Sequence, residues 1–110
     1  LNGTQALLEV KGVTLEEKGC ALFPDAPTER GVKHLHHLIK AKQEGLAAAV
    51  VFLIQMETIS VFSPNDQTHP AFGEALRQAA DCGVSVSAWS SKVTPDSIVL
   101  GCPVPVELSC

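Results

Sequence analysis

The feature that constrains this fold most is a run of nine apolar residues, Leu46 to Ile54. A membrane-spanning helix needs about 20 such residues, so the run is too short to cross a bilayer. Its second half is β-branched and aromatic, which favours a strand over a helix. A strand without polar alternation is typical of a sheet covered on both faces. We therefore predict that residues 46–54 form a strand buried on both faces.

Two amphipathic helices are predicted, one before and one after this strand. Thr28 is a suitable N-cap for the first helix, and Gly45 follows its end. Pro70 suits the first turn of the second helix, and Gly83 follows that one. Shorter extended segments are predicted over 13–23 (broken by a turn at 16–19), 59–62, 84–89 and 98–100. The order indicates an α/β domain, a mixed sheet flanked by helices.

The first predicted strand, over residues 6–11, alternates in polarity. Leu8 and Val10 lie on one face, and Glu9 and Lys11 on the other. Asn2-Gly3, just before this strand, is typical of a tight hairpin turn. We therefore expect a partner strand upstream of the sequence.

The charge is unevenly distributed. Twelve acidic and eight basic residues give a net charge of −4, which disfavours attraction of the whole surface to nucleic acid. Half of the basic residues nevertheless fall between positions 30 and 42, where there is no acid and three histidines also lie. This stretch is either a local anion-binding face or a solvated helix face.

The four cysteines are scattered, and none forms a C-x-x-C pair. They are Cys20, Cys82, Cys102 and Cys110. We interpret them as small buried hydrophobic residues of a reducing compartment, which predicts a cytoplasmic protein. A disulfide framework or a structural zinc site is the less favoured interpretation.

Glu9 and Lys11 are the residues with the clearest chemical potential. At positions i and i+2 of a strand their side chains point to the same face. Such a carboxylate can hold Mg²⁺ while the ammonium stabilises the attacking water or the negative charge that develops on the phosphate. Metal-dependent phosphodiester hydrolysis needs a second carboxylate, expected here on the missing neighbouring strand. A surface ion pair is the ordinary interpretation of the same pattern.

A second candidate group lies where a proline-rich loop leads into the first helix. Free N–H groups and the dipole at a helix N-terminus favour phosphate, and Arg30, Lys33 and His34 could extend that contact. The ordinary interpretation makes Asp25 a turn former, Arg30 and Lys33 surface charges, and His34 a packed helix residue.

Four further residues have structural interpretations at least as strong as functional ones. His36 and His37 are adjacent on the helix and are expected in solvent. Trp89 could stack on a base but is a better candidate for the core. Gln55 ends the apolar strand and either faces the rim of the Glu9–Lys11 site or caps the strand.

Four segments together resemble the sugar fermentation stimulation protein (SfsA) family. The most specific is the string F-P-D-A-P-T-E-R-G-V-K-H-L over residues 23–35. The others are E-V-K-G-V-T-L over 9–15, the segment 49–55 and the segment 84–88. The resemblance covers most of the chain.

The resemblance implies a fold, a location and a function. The fold would be a restriction-endonuclease-like core of the PD-(D/E)xK kind over residues 1–110, with an N-terminal OB-like domain and the first strands missing. The function would be DNA binding without sequence preference and metal-dependent DNA or RNA cleavage, with regulation of sugar (maltose) metabolism, in the prokaryotic cytoplasm. The metal would be Mg²⁺ or Mn²⁺.

The resemblance also assigns roles to individual residues. Glu9 and Lys11 match the catalytic pair, with Glu9 as the metal ligand. The residues themselves, and not the resemblance, give Arg30, Lys33 and His34 as nucleic-acid-binding candidates and Asp25, Glu29 and Gln55 as supporting ones. The family's acidic residue on the preceding strand has no counterpart, so this fragment alone is expected to be inactive. The alternatives are a non-catalytic DNA-binding or regulatory module and, third, a protein-interaction domain.

Overall fold

The strands form two sheets. The computed structural model describes residues 6–56 and 58–108, and the hairpin turn predicted at Asn2-Gly3 lies outside them. The elements are β1 Ala6–Val13, β2 Leu15–Glu17, β3 Cys20–Phe23, α1 Glu29–Gln43, β4 Ala47–Ile54, β5 Val61–Pro64, α2 Pro70–Asp81, β6 Ser85–Val93 and β7 Ile98–Val104. The larger sheet has the order β1-β4-β6-β7, and the smaller one β2-β3-β5. The mixed α/β architecture is therefore confirmed.

Both helices begin and end where the sequence predicts. The Thr28 hydroxyl accepts a hydrogen bond from the Gly31 N–H at 3.0 Å and so caps α1. Gly45 follows this helix with φ +91°, a conformation that favours glycine. Pro70 is the first residue of α2. Neither of these helices has the length and apolar character needed to cross a lipid bilayer, within the described residues.

The predicted central strand is confirmed, but its burial is not the same on both faces. Ala48, Val50, Phe52 and Ile54 are buried, whereas the alternate residues are half-buried or exposed. We call the face that carries Val50 and Phe52 the inner face of the larger sheet, and the opposite one the outer face. The expectation of a strand buried on both faces is corrected, because the core forms on the inner face.

One hydrophobic core joins the inner face, both helices and the smaller sheet. Its largest members are Leu35 and Leu38 of α1, Phe72 of α2, Phe62 of β5 and Phe52 of β4. Phe52 and Phe62 stack with ring centroids 4.3 Å apart. This cluster fixes α1 over the sheet, and so determines which side chains of β1 the helix meets.

The charged face of β1, and not its apolar face, points towards the core. In the parallel register, Glu9 pairs with Val50 and Lys11 with Phe52, so the two charged side chains lie on the inner face. Leu8 and Val10 lie on the outer face and are 61% and 50% exposed. On the inner face, the charged pair meets a polar side chain of α1, His34.

Three of the shorter strands differ from their predicted bounds. β5 covers Val61–Pro64 rather than 59–62, while β6 and β7 are longer than predicted. Pro103 lies within β7. The sheet tolerates this proline because, among the described strands, β7 is at the edge and has β6 as its one neighbour.

The described cysteines are less buried than expected. Cys20 and Cys82 are half-buried, Cys102 is exposed, and all three are free thiols. Burial of Cys102 was therefore a wrong expectation, because this residue lies on edge strand β7. Cys110 lies outside the described residues. Trp89 is half-buried on β6, beside Pro103.

Candidate active site

The charged pair of β1 meets a histidine of α1. The Lys11 Nζ atom lies 2.7 Å from the Nδ1 atom of His34, and the Glu9 Oε2 atom lies 3.4 Å from the same nitrogen. The Glu9 and His34 side chains are 31% and 29% exposed. These three residues, the Glu9–Lys11–His34 cluster, therefore form a partly desolvated polar group at the edge of the core.

The two contacts to His34 Nδ1 imply different roles for that nitrogen. An ammonium group has donors only, so at 2.7 Å Lys11 donates and the imidazole nitrogen accepts. An ion pair with Glu9 would instead require a protonated Nδ1 that donates. One nitrogen cannot fill both roles at once. The shorter contact has hydrogen-bond length, so we assign the acceptor role to His34 and leave Glu9 as a neighbouring carboxylate.

Local structure holds each member of the cluster in place. Glu9 and Lys11 are two residues apart on β1, which pairs along its whole length with β4. Leu35, the next residue of α1, is fully buried and holds the helix against the core. The contact with Lys11 shows that position 34 faces the inner side of β1.

Glu9 is a suitable ligand for a divalent cation, but it cannot form a complete site alone. Within residues 6–56 and 58–108 there is no group of three or more histidine, cysteine or acidic side chains that could hold a metal. Mg²⁺ often binds through one or two carboxylates and completes its shell with water and substrate phosphates. Glu9 therefore fits one position of such a shell, and another acidic ligand would have to come from outside the described residues.

A positively charged hollow lies along the N-terminal half of α1, beside the cluster. Its volume is about 730 Å³, and we call it the α1 hollow. The lining residues are Glu29, Arg30, Val32, Lys33, His34, His36, His37, His69 and Ala71. Arg30 and Lys33 are exposed, whereas His34 is shared with the cluster. Arg30 and Lys33 can therefore meet a polyanion from solvent.

The three supporting residues lie in different places. Asp25 is exposed in the loop before α1, and Glu29 is exposed at the first position of the helix. Gln55 is exposed after β4, and a Cβ added at Gly12 would lie 3.1 Å from its Nε2 atom. Gly12 faces the side of β1 opposite to Lys11. The Gln55 amide is therefore on the outer-face side, away from the Glu9–Lys11–His34 cluster.

Sequence reasoning missed His69. Its Nδ1 atom accepts a hydrogen bond from the Thr28 N–H at 3.0 Å, and the ring lines the α1 hollow. His69 is thus both the N-cap residue of α2 and a link to the start of α1. Its position before Pro70 indicates a helix start, but no sequence signal indicates a contact across 41 residues.

A comparison with protein families decides the chain's relationship. Residues 1–97 match the family model described as the sugar fermentation stimulation protein RE domain. The chain belongs to the sugar fermentation stimulation protein family. The resemblance seen in the sequence is thereby confirmed, and the coarse α/β fold agrees with it.

Relatives in this family are close in sequence but longer. The chain is 55% identical over 101 residues to a sugar fermentation stimulation protein homolog of Clostridium perfringens (strain SM101 / Type A), covering 92% of the chain and 44% of that protein. It is 59% identical over 101 residues to a homolog of Desulfitobacterium hafniense (strain Y51), with the same coverage. The chain therefore spans less than half of the length of these curated relatives.

A solved structure of the same family has a closely similar fold. It is described as the structure of Pyrococcus furiosus SfsA in complex with Ca²⁺. The TM-score is 0.85 at 30% sequence identity, and the match covers 93% of this chain and 45% of that one. The arrangement of sheets and helices described above is therefore that of the matching part of an SfsA protein.

Proposed function

We propose that this domain is the nuclease part of a metal-dependent enzyme that binds DNA, or RNA, without sequence preference and hydrolyses its phosphodiester backbone. The observation that carries the proposal is the position of Glu9 and Lys11 on the inner face of the larger sheet. This proposal includes a restriction-endonuclease-like PD-(D/E)xK core, in which Glu9 and Lys11 are the E-x-K pair.

The inner-face position is unfavourable for charged side chains on grounds of stability alone. Partial burial removes water from an ammonium and a carboxylate, which costs free energy unless partners replace it. Leu8 and Val10, the residues that burial would favour, are exposed instead. Positions where the sequence opposes simple burial are often functional. An inward charge also protects a sheet edge from aggregation, and the experiment below separates these two roles.

Each residue of the pair would have a distinct role in hydrolysis. The Glu9 carboxylate would hold Mg²⁺ or Mn²⁺, and the Ca²⁺ complex of the Pyrococcus furiosus protein supports a divalent cation. When bound, the cation would polarise the attacked phosphate. The Lys11 ammonium would stabilise the negative charge that grows on that phosphate as water attacks phosphorus and the P–O bond to the leaving oxygen breaks.

The α1 hollow would hold the substrate. Arg30 and Lys33 are exposed there and would contact backbone phosphates, which carry no direct sequence information. The rest of the chain is acidic overall, which would confine nucleic acid to this surface. We place the protein in the cytoplasm, where any role in regulating sugar metabolism would follow from this binding.

Cleavage of supercoiled plasmid by the protein at the full length of its relatives tests the proposal. With Mg²⁺ or Mn²⁺ we expect cleavage that EDTA abolishes. Glu9→Gln and Lys11→Met should each lower the rate by about 100-fold or more. The matched controls are Glu74→Gln and Lys92→Met, at exposed positions of α2 and β6. If the site variants cleave as fast as the controls, Glu9 and Lys11 are not catalytic.

A non-catalytic DNA-binding module is the second candidate. It is favoured by the single carboxylate that the described residues bring to the cluster. This function predicts salt-sensitive DNA retention that depends on Arg30 and Lys33, with no metal-dependent cleavage at the full length. A protein-interaction domain, by contrast, would show no affinity for nucleic acid even at low salt.

A further inference from the structure

We propose that His34 is a positioning residue for Lys11 and not a ligand of nucleic-acid phosphates. This inference rests on the function proposed above, because it assigns His34 a task within the same site. It replaces the expectation that His34 extends the phosphate contacts of Arg30 and Lys33.

The direction of the hydrogen bond supports this role. Lys11 donates from Nζ to His34 Nδ1 at 2.7 Å, a charge-assisted bond in a half-buried position. Two other N–H groups of the ammonium remain for substrate or for Glu9. A free lysine side chain loses rotamer entropy when its ammonium is fixed in one position. A bond made before the substrate arrives removes that cost from the reaction and aims the ammonium in advance.

The same geometry limits what His34 can contribute to phosphate binding. While Nδ1 accepts from Lys11, the ring is neutral, and its Nε2–H is the one donor left for a phosphate. The His34 side chain is 29% exposed, whereas Arg30 and Lys33 on the same helix are open to solvent. Removal of His34 should therefore change the chemistry more than the affinity for the polyanion.

Two variants separate the position of the acceptor from the mere presence of a polar group. In His34→Asn, the amide oxygen takes a place close to that of Nδ1 and can accept from Lys11. In His34→Gln, the amide lies further along the side chain. The full-length protein should retain the Lys11 hydrogen bond with asparagine and lose it with glutamine.

Nuclear magnetic resonance detects this hydrogen bond whether or not the protein cleaves nucleic acid. A hydrogen-bonded ammonium exchanges its protons slowly, so we expect an observable Lys11 ¹H–¹⁵N signal, assigned through its absence in Lys11→Met. The signal should persist in His34→Asn and disappear in His34→Gln. Equal signals in the two variants would overturn the proposed contact, even if the protein cleaves no nucleic acid. Urea unfolding of both variants confirms that they fold.

Cleavage kinetics and DNA binding then test the role. At saturating DNA we expect His34→Gln to lower the maximal rate at least tenfold and His34→Asn to recover most of it. DNA affinity should stay unchanged in both variants. A phosphate contact by His34 would instead weaken DNA binding in His34→Gln and leave the maximal rate intact, which would overturn the inference. If the wild type does not cleave while the Lys11 signal behaves as expected, the proposed function fails and the contact stands.

Discussion

Simultaneous removal of Arg30 and Lys33 should change how strongly DNA binding depends on salt. Each phosphate contact releases counterions and contributes a slope of about 0.9 to the plot of log affinity against log salt. These are the two cations that α1 exposes in the hollow, since His34 is engaged with Lys11. The double variant Arg30→Ala/Lys33→Ala should therefore lose about 1.8 from the slope.

The same figure predicts the loss of affinity. At 0.1 M salt a slope difference of 1.8 corresponds to binding weaker by about 60-fold. Between 50 and 200 mM salt, the wild type should lose about 12-fold more affinity than the variant. Fluorescence anisotropy with a labelled 20-base-pair duplex, in EDTA to prevent cleavage, measures both quantities.

A matched control distinguishes a local contact from a change in net charge. Lys92 is exposed on β6, and the hollow does not include it. Lys92→Ala should leave the slope within experimental error of the wild type. If the double variant and this control have the same slope, DNA does not bind in the α1 hollow.

Three substitutions test the fold by urea unfolding followed through Trp89 fluorescence. Thr28→Ala should lower the free energy of unfolding by about 1 kcal/mol, since it removes the hydroxyl that caps α1; no loss would mean that the cap is dispensable. Phe52→Ala should lower the free energy of unfolding by about 3–5 kcal/mol, because the ring is fully buried. A loss below about 1 kcal/mol would contradict the position of this ring in the core. An alanine Cβ at Gly73 would overlap a carboxylate oxygen of Asp66. Gly73→Ala should therefore destabilise the protein. Overpacking costs about 1–3 kcal/mol, whereas the higher helix propensity of alanine contributes at most about 1 kcal/mol. A more stable variant would refute this comparison.

The regular elements could be predicted because their signals are local. The Thr28 cap, the glycine after each helix and the apolar run of β4 act within a few residues. The helix limits and the strand itself are confirmed, whereas burial of that strand on both faces is not. Proline at the start of α2 is equally local. Such signals depend on backbone conformation and side-chain shape, which the sequence contains directly.

The orientation of β1 could not be predicted in the same way. Alternation indicates that Leu8 and Val10 share a face, but it does not say which face the core occupies. Parallel pairing with β4 decides this, and α1 then adds His34 to the side with Glu9 and Lys11. Contacts between residues that are distant in sequence therefore determine which face of β1 meets the core.

The sequence pairs Glu9 with Lys11 and gives His34 as a separate phosphate-binding candidate, but it does not predict that His34 contacts Lys11. Glu9 and Lys11 are close in sequence, so their proximity follows from strand geometry. His34 lies 23 residues after Lys11, and only the packing of α1 brings the two together. His69 and Thr28 show the same limit, because their contact joins the starts of two helices.

The most direct test of the central claim is the position of a divalent cation in crystals of the full-length protein with Ca²⁺ and a short DNA duplex. Calcium supports coordination while it often fails to support cleavage, so substrate can remain bound. We predict a cation about 2.3–2.6 Å from a carboxylate oxygen of Glu9, with Lys11 facing the same phosphate. Bound DNA with no cation at Glu9, or with its backbone far from β1, would contradict the assignment of this cluster as a nuclease site.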